Sequence, residues 1–312
     1  MPISPTHWDD GSNTVVFSNQ YIKIRLFPAK GRRKSVCKVF YPPFAGRDGT
    51  VCNYLIGLYQ RLGFDVYVFD LLPAHWLNNA VSLEMLVGLA KICIQQIKDR
   101  PYDIVGVCMG GWLSLLAVKG ERKPRKHTII ATPIDTTKGD GVMMKMLKET
   151  PFALLILPVL MTGVNPAWLQ WWRFTLAYNP VAVFLGEPLK LYRAIIDSDQ
   201  KGISKYHRNR NWYYNPRPLA WWFLEAVDKI FRKNMLKEMI GEEYDWPFYI
   251  YAGKEDEITP WEQTVALVDI VKKAIAKVFP RGGHTITFNG DEQLAQIERD
   301  EIEFDDELDL VA

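Results

Sequence analysis

The stretch Asp103-Ile-Val-Gly-Val-Cys108-Met109-Gly110-Gly111-Trp-Leu-Ser-Leu-Leu116 constrains this chain more than any other. It opens as a short run of β-branched residues, the composition of a fully buried strand. It closes as an apolar helix that follows with no linker. Between them, Gly106-Val-Cys108-Met-Gly110 must turn sharply. Glycines are needed in such a strand-to-helix turn because neighbouring backbones approach too closely for a Cβ. The residue between them, Cys108, would sit at a helix N-terminus, whose positive end stabilises a thiolate and later an oxyanion. The pattern is a G-x-C-x-G version of the turn that presents a catalytic nucleophile.

Free cysteine is also a common buried core residue. Cys37, Cys52 and Cys93 fit that description, each lying in an apolar run without flanking glycines. Cys108 differs in its glycines and in the strand before and helix after it. It is the candidate nucleophile.

The chain around this turn alternates strand and helix. Residues 14–27 read as a hairpin about Ser18-Asn19, and Ser35–Tyr41 as a strand ending at Pro42-Pro43. The loop Phe44-Ala45-Gly46-Arg47-Asp48-Gly49 precedes a helix from about Thr50 to Leu62. Phe64–Asp70 is a strand, 82–98 an amphipathic helix, and Thr128–Ala131 a strand ending in Thr132-Pro133-Ile134-Asp135. The basic loop Gly120–Lys126 reads as a solvated connection. Such alternation predicts an α/β fold with a mostly parallel central sheet and helices on both faces. Ligands of these sheets bind beyond the carboxyl ends of the strands, where Cys108 would lie.

From about 140 to 240 the alternation stops, and the section reads as helical and rich in tryptophan: Trp168, Trp171, Trp172, Trp212, Trp221 and Trp222 are six of the eleven in the chain. It is expected to be a helical cap inserted into the sheet domain and partly covering the site, its apolar residues packed between cap and sheet; a lipid- or polymer-facing role for that apolar surface is the alternative. The sheet rhythm resumes with a strand at Trp246–Gly253, the loop Lys254–Pro260, a helix from Trp261 to about Lys273, a strand at Ala276–Phe279 and the loop Pro280–His284. The expected division is 1–139 and 241–304 for the two parts of the core, 140–240 for the cap and 305–312 for a solvated acidic tail.

Composition excludes several classes. A formal net charge of +2 over 312 residues gives no general attraction for nucleic acid, and the basic clusters at 32–34 and 205–210 are short. Four cysteines without framework spacing suit a reducing, cytoplasmic setting rather than a disulfide scaffold. No signal peptide is recognisable at the start, and no apolar run reaches the length of a membrane span. No histidine pair or CxxC suggests a metal site. No glycine-rich phosphate loop suggests a nucleotide, and no resident cofactor is expected.

A thiol that attacks a carbonyl needs a base for its proton and an acid to hold that base in the right tautomer. Cys108, Asp256 and His284 each follow a predicted strand, in the order nucleophile, acid, histidine used by the α/β-hydrolase fold. Glu255 and Glu257 flank Asp256, which is preferred for its position between the Gly253 turn and Ile258-Thr259-Pro260. His7 and His75 precede the turn, His127 opens a strand, and His207 lies in a basic cap segment. The oxyanion hole would use the backbone N–H of Met109 with a second donor near Phe44 or Ala45.

These residues resemble the polyhydroxyalkanoate synthases, whose lipase-like box carries cysteine in place of serine. Gly106-Val-Cys108-Met-Gly-Gly-Trp-Leu-Ser-Leu is similar to that box, and Ala131-Thr-Pro-Ile-Asp135 to a T-P-[VL]-D segment. Asn211-Trp212 and Phe231-Arg-Lys-Asn234-Met-Leu look like the cap pattern. Gly253-Lys-Glu-Asp256-Glu-Ile-Thr-Pro260 is similar to the acid loop, and Phe279-Pro-Arg-Gly-Gly-His284 to the histidine loop. The resemblance runs from about Val36 to Phe304. It departs at Glu257, where the family has histidine, and at Pro42–Gly49. The segments Pro133-Ile-Asp-Thr136 and Gly49-Thr-Val also resemble intracellular polyhydroxyalkanoate depolymerases.

The resemblance implies a 3-hydroxyacyl group carried on Cys108 from a coenzyme A thioester to a growing polyester, with His284 as general base and Asp256 supporting that base or activating the incoming hydroxyl. It further implies work at storage granules and, for a chain of this short form, a partner subunit or homodimer. A hydrolase on the same three residues (depolymerase, esterase or thioesterase) and a non-catalytic granule-binding protein are the alternatives.

Overall fold

The structure, a computed structural model, describes residues 12–43, 49–75, 77–169, 185–200, 202–203, 218–241 and 244–311. Among them the strands β1 (Thr14–Ser18), β2 (Ile22–Phe27), β3 (Cys37–Tyr41), β4 (Asp65–Leu71), β5 (Tyr102–Val107), β6 (His127–Ile130), β7 (Phe248–Gly253) and β8 (Ala274–Phe279) pair in one sheet. Their spatial order is β1-β2-β4-β3-β5-β6-β7-β8. β1 and β2 form the expected hairpin, and β2 runs antiparallel to β4. Every other neighbouring pair is parallel. β3, β5, β6 and β7 are buried along their whole length. Burial on both faces is why they read as continuous apolar runs rather than as alternating ones.

The helices are α1 (Asn53–Arg61), α2 (Leu83–Gln95), α3 (Met109–Val118), α4 (Val142–Glu149), α5 (Phe152–Thr162), α6 (Glu187–Ile196), α7 (Trp222–Ala226), α8 (Leu236–Ile240), α9 (Trp261–Val265), α10 (Ile286–Asn289) and α11 (Asp291–Val311). α1 packs with α10 and α11, while α2 packs with α3, which lies along β5. α2 starts where the sequence predicts, because the Ser82 hydroxyl accepts from the Met85 N–H at 3.1 Å and caps the first turn. The helix expected to run to Lys273 is shorter: α9 tightens into a 3-10 turn at Ala266–Asp269. β8 then begins at Ala274 instead of Ala276, since it pairs with all six residues of β7.

Two expectations about charge are corrected beneath the sheet. The Lys38 ammonium on β3 is fully buried between Asp103 (2.7 Å) and Glu301 (2.5 Å). Glu301 also holds Lys126 at 2.8 Å, and Asp103 holds Arg125 at 2.9 Å. The basic loop that read as solvated thus ends in two cations drawn into the interior. The C-terminal acids are their partners: Asp305 bonds Lys34 and Arg125. Asp305 is therefore tied to two cations, and α11 continues through it to Val311. Burial alone would raise the Asp103 carboxyl, but Lys38 and Arg125 override it and hold the group down at about 2.

Between β6 and β7, which are sheet neighbours, the described chain is helical, as expected of the 140–240 section. α7 runs on into a π-helical segment, Val227–Arg232. This section is stitched to the loop after β4: Trp222 N–H donates to Val81 O at 2.7 Å and Trp221 N–H to Asn79 O at 3.0 Å. The Glu225 carboxylate accepts from Leu83 N–H at 3.0 Å. Its tryptophans differ in role: Trp222 is buried, whereas Trp168 is exposed; Trp171, Trp172 and Trp212 lie outside the described residues. The expectation that the apolar run Pro151–Gly163 packs as core holds only for one side. α5 buries Leu155 and Val159, four residues apart on one helix face, and exposes Leu154, Leu157, Leu160 and Met161.

Removing one member of a buried ion network leaves charges stranded, at a cost of about 3 kcal/mol. Lys38→Met is accordingly expected to lower the urea-unfolding stability by about that amount, with an unchanged dependence on denaturant. A loss near zero would mean that Arg125 and Lys126 alone satisfy Asp103 and Glu301.

Candidate active site

Cys108 sits between β5 and α3 in a left-handed conformation, φ 54° and ψ −124°. A β-branched or bulky side chain rarely adopts this region. Three glycines make the turn fit. A Cβ on Gly106 would lie 2.5 Å from Ser114 Oγ and 2.6 Å from Gly111 Cα. One on Gly110 would run into the carbonyl oxygens of Tyr41 and Pro42 at the end of β3, and one on Gly111 into the Thr132 side chain. The Cys108 N–H donates to Ile130 O at 2.8 Å, tying the turn to the end of β6. Met109 is the first residue of α3, so its N–H belongs to the group that has no intrahelical acceptor. Phe44 and Ala45, named for the second oxyanion donor, lie outside the described residues.

The acid and the histidine come from two loops joined by backbone hydrogen bonds. Lys254 N–H donates to Phe279 O at 2.9 Å and Glu255 N–H to Gly282 O at 3.1 Å. The fit has no room for a side chain at Gly253, whose Cβ would meet the Gly282 carbonyl. Asp256 uses both carboxylate oxygens: Oδ1 accepts from the N–H of Ile258 (2.9 Å) and Thr259 (2.8 Å), and Oδ2 lies 2.8 Å from His284 Nδ1. Glu255 and Glu257 are both exposed, so the structure separates Asp256 from its flanking acids.

A carboxylate only accepts hydrogen bonds, so Nδ1 of His284 carries the proton toward Asp256. Nε2 is the nitrogen left to exchange a proton with the Cys108 sulfur. The ring is buried and meets Phe288 edge-on, 6.0 Å between centroids. Burial alone would lower the imidazole pKa, but the Asp256 carboxylate and the neighbouring Cys108 sulfur raise it to about 10; Nε2 itself is buried. The structure therefore brings together Cys108, Asp256 and His284.

The remaining cysteines and histidines lack this setting. Burial pushes the Cys37 thiol up to about 11 and raises Cys93 and Cys52 further. His127 is fully buried against Ser114 Oγ at 2.7 Å, and burial drives its pKa down to about 3, so it stays neutral. His75 is exposed. His7 and His207 lie outside the described residues. Among the described residues no group of three or more His, Cys, Asp or Glu side chains is placed to hold a metal.

The loop after β6 is held by a pairing that no local sequence signal marks. Asn234 Oδ1 accepts from the Thr136 N–H (2.8 Å) and hydroxyl (3.0 Å), and its Nδ2 donates to Asp135 Oδ1 at 2.9 Å. The Lys148 ammonium donates to Thr136 O at 2.7 Å. Val142 N–H donates to Glu257 O at 2.8 Å beside the acid. The loop after β6 is thus held by the helical section on one side and by the acid loop on the other. Both segments carried a motif, but nothing local to either motif signalled that they pair.

Two outcomes follow. At neutral pH an alkylating probe such as iodoacetamide should modify one thiol of the folded protein, lost in Cys108→Ala, and all four in denaturant; labelling spread over Cys37 or Cys93 would sink the assignment of Cys108 as the reactive thiol. The raised His284 pKa contributes stability that is complete below about pH 6.5, its unperturbed value, and lost as pH rises through about 10. The melting-temperature gap between wild type and Asp256→Asn should therefore be large at pH 7 and shrink on approach to pH 10; a constant gap would contradict the coupling.

No family model matches the chain, and no curated protein matches it in sequence. Solved structures match along nearly its whole length. A lipase in its open form is 15% identical with a TM-score of 0.61, covering 95% of this chain and 97% of its own. MenH from S. aureus is 17% identical with a TM-score of 0.58, covering 93% and 99%. The alpha/beta hydrolase domain-containing protein 10 from mouse is 15% identical with a TM-score of 0.52, covering 96% and 100%. At these identities the likeness is one of architecture, and it agrees with the strand order, the turn at Cys108 and the loops after β7 and β8: the chain has the α/β-hydrolase fold.

Proposed function

We propose that this chain is an acyl-transfer enzyme that uses Cys108 as nucleophile, His284 as general base and acid, and Asp256 to orient and charge the histidine. The observation that carries the reading is the left-handed cysteine at the head of α3, with His284 near enough for the two groups to interact and its Nδ1 on a buried carboxylate. Glu255, Glu257 and the other histidines have no part in it.

The substrate class we favour is a 3-hydroxyacyl thioester of coenzyme A, and the product a polyester, as in polyhydroxyalkanoate synthases. The Cys108 sulfur attacks the thioester carbonyl. The oxyanion is received by the Met109 N–H, with the positive end of α3 behind it. The carbon–sulfur bond to coenzyme A breaks, and its thiolate leaves with the proton of His284. A hydroxyl of a second hydroxyacyl group or of a chain end then gives its proton to His284, attacks the acyl-enzyme and releases Cys108. A sulfur nucleophile suits the first step because one thioester is exchanged for another at nearly equal energy. The support for this substrate class is the resemblance of five segments, two of which, Ala131–Asp135 and the segment at Asn234, are hydrogen-bonded to each other through Asp135.

A hydrolase on the same three residues is the second reading. It is favoured by the proteins that share the fold, a lipase among them. It differs only in water taking the place of the hydroxyl. A granule-binding protein without catalysis has no use for a buried acid paired to a histidine at the nucleophile, and is the weakest reading.

Thiol release from 3-hydroxybutyryl-CoA, with products followed by mass spectrometry, tests the proposal. Wild type should release thiol and form oligomeric esters, Cys108→Ala should lose release by a factor on the order of 10⁴ or more, and Asp256→Asn by about 10² to 10⁴. Free hydroxy acid as sole product would move the protein to the hydrolase reading. Release undiminished in Cys108→Ala would remove the cysteine from the mechanism.

A further inference from the structure

Ser114 and His127 are both fully buried, and neither reacts in the mechanism above. Ser114 lies on α3 beyond Cys108, and His127 is the first residue of β6. The Ser114 Oγ is 2.7 Å from His127 Nε2 and 2.7 Å from the carbonyl oxygen of Gly111. A carbonyl only accepts, so the one hydroxyl proton of Ser114 goes to Gly111 and the His127 Nε2–H donates to Oγ. A proton on Nδ1 instead would be buried with no partner, and the one hydroxyl proton would then have to serve two acceptors. The ring is neutral, since burial drives its pKa down to about 3. The donors therefore run in one direction, from His127 through Ser114 into the first turn of α3.

That turn is also tied to the other end of the same strand. The Cys108 N–H donates at 2.8 Å to the carbonyl of Ile130, the last residue of β6, and the Gly111 N–H returns to Cys108 O at 3.0 Å. The helix rises about 9 Å from Cys108 to Ser114, and the strand spans about 10 Å from His127 to Ile130. The lengths match, so α3 runs back alongside β6 and is bonded to it at both ends. Ser114 also fills the space that Gly106 leaves, where a Cβ would come 2.5 Å from its Oγ. His127 is stacked on Phe248 of β7, with 5.1 Å between centroids and 23° between planes. An apolar side chain at 127 would pack there without leaving a ring nitrogen unpaired, which is unfavourable in a dry interior. What the imidazole adds over such a residue is its hydrogen bond to Ser114.

We propose that Ser114 and His127 are positioning residues for the nucleophile: a hydrogen-bonded strut that fixes the first turn of α3 against β6, and with it the Cys108 sulfur and the Met109 N–H. Neither side chain touches substrate. Their effect reaches the reaction through the turn, because the left-handed Cys108 persists only where its neighbours over-determine it. A reacting group displaced by about 1 Å loses on the order of a hundredfold in rate. This role rests on Cys108 being the nucleophile, as in the reading above, and not on which acyl group it carries.

Three variants of the full chain separate this role from packing. Ser114→Ala removes the hydroxyl and little else. His127→Leu removes the ring and its donor, whereas His127→Gln removes the ring but keeps an N–H donor at the reach of Nε2. In thiol release from 3-hydroxybutyryl-CoA, Ser114→Ala and His127→Leu should lose about ten- to a hundredfold in kcat with KM within about twofold, because a misplaced turn acts on the transition state more than on binding. His127→Gln should recover about fivefold or more over His127→Leu, although both lose the stack on Phe248 and both should melt below the wild type. An unchanged kcat in Ser114→Ala and His127→Leu, with only the melting temperature lowered, overturns the strut, as does a His127→Gln no better than His127→Leu. If His127→Leu does not fold, Ser114→Ala against the wild type decides. Modification of Cys108 by iodoacetamide, followed against pH, reads the same turn without substrate. Its midpoint should rise in Ser114→Ala and His127→Leu, since the helix terminus that favours the thiolate is then less well placed; an unmoved midpoint counts against the strut alone. A wild-type Cys108 that does not react at all would remove the nucleophile, and with it both the acyl-transfer reading and the strut.

Discussion

The site depends on a backbone held where an ordinary residue does not go. Cys108 occupies the left-handed region, and such a conformation persists only where its surroundings over-determine it. Here they do so through close approach. Gly110 lies against the carbonyl oxygens at the end of β3, Gly111 against Thr132 beyond β6, and Gly106 against Ser114 of α3. Each contact uses a missing Cβ, so three strands and a helix converge on one turn. These contacts hold the sulfur at the head of α3 and fix it relative to the ends of β3 and β6.

Charge is handled in opposite ways at the two ends of the same sheet. Toward the N-terminal side of the strands, Lys38 and Lys126 are buried with Asp103 and Glu301, the half-buried Arg125 and Asp305 complete the network, and every charge has at least one partner of opposite sign. This network ties β3, β5 and the segment before β6 to α11, and it has no reactive group. At the carboxyl ends, the single carboxylate of Asp256 is buried facing one imidazole, and its backbone donors hold it in one orientation. The first arrangement neutralises charge; the second uses charge to raise the basicity of a histidine beside a thiol. The same low-dielectric interior makes an ion pair structural in one place and chemical in the other.

The helical section between β6 and β7 joins these parts to the outside. Asn234 clamps the loop that leads from β6, and that loop touches the acid loop through Val142 and Glu257. Toward solvent the same section exposes apolar side chains on α5 and α6.

How much of this was legible in the chain differs from element to element. The alternation of buried runs and amphipathic segments determined the parallel sheet, and Gly106-Val-Cys108-Met-Gly110 determined the turn, because local sterics leave few other uses for glycines so spaced. Asp256 and His284 were legible from their order and their positions after strands. Their partnership was not, since it rests on Gly253 and Gly282 letting two loops meet across the sheet. The sequence was misleading where a partner lies far along the chain. Lys126 and Asp305 looked solvated because a buried charge is unfavourable until its counter-charge is in place, and the counter-charges are nearly two hundred residues away. The apolar run at α5 looked like core because hydrophobicity alone does not say which side of a helix has something to pack against. Local composition decided what each segment is; only the tertiary structure decided which charges are paired and which apolar faces are left open.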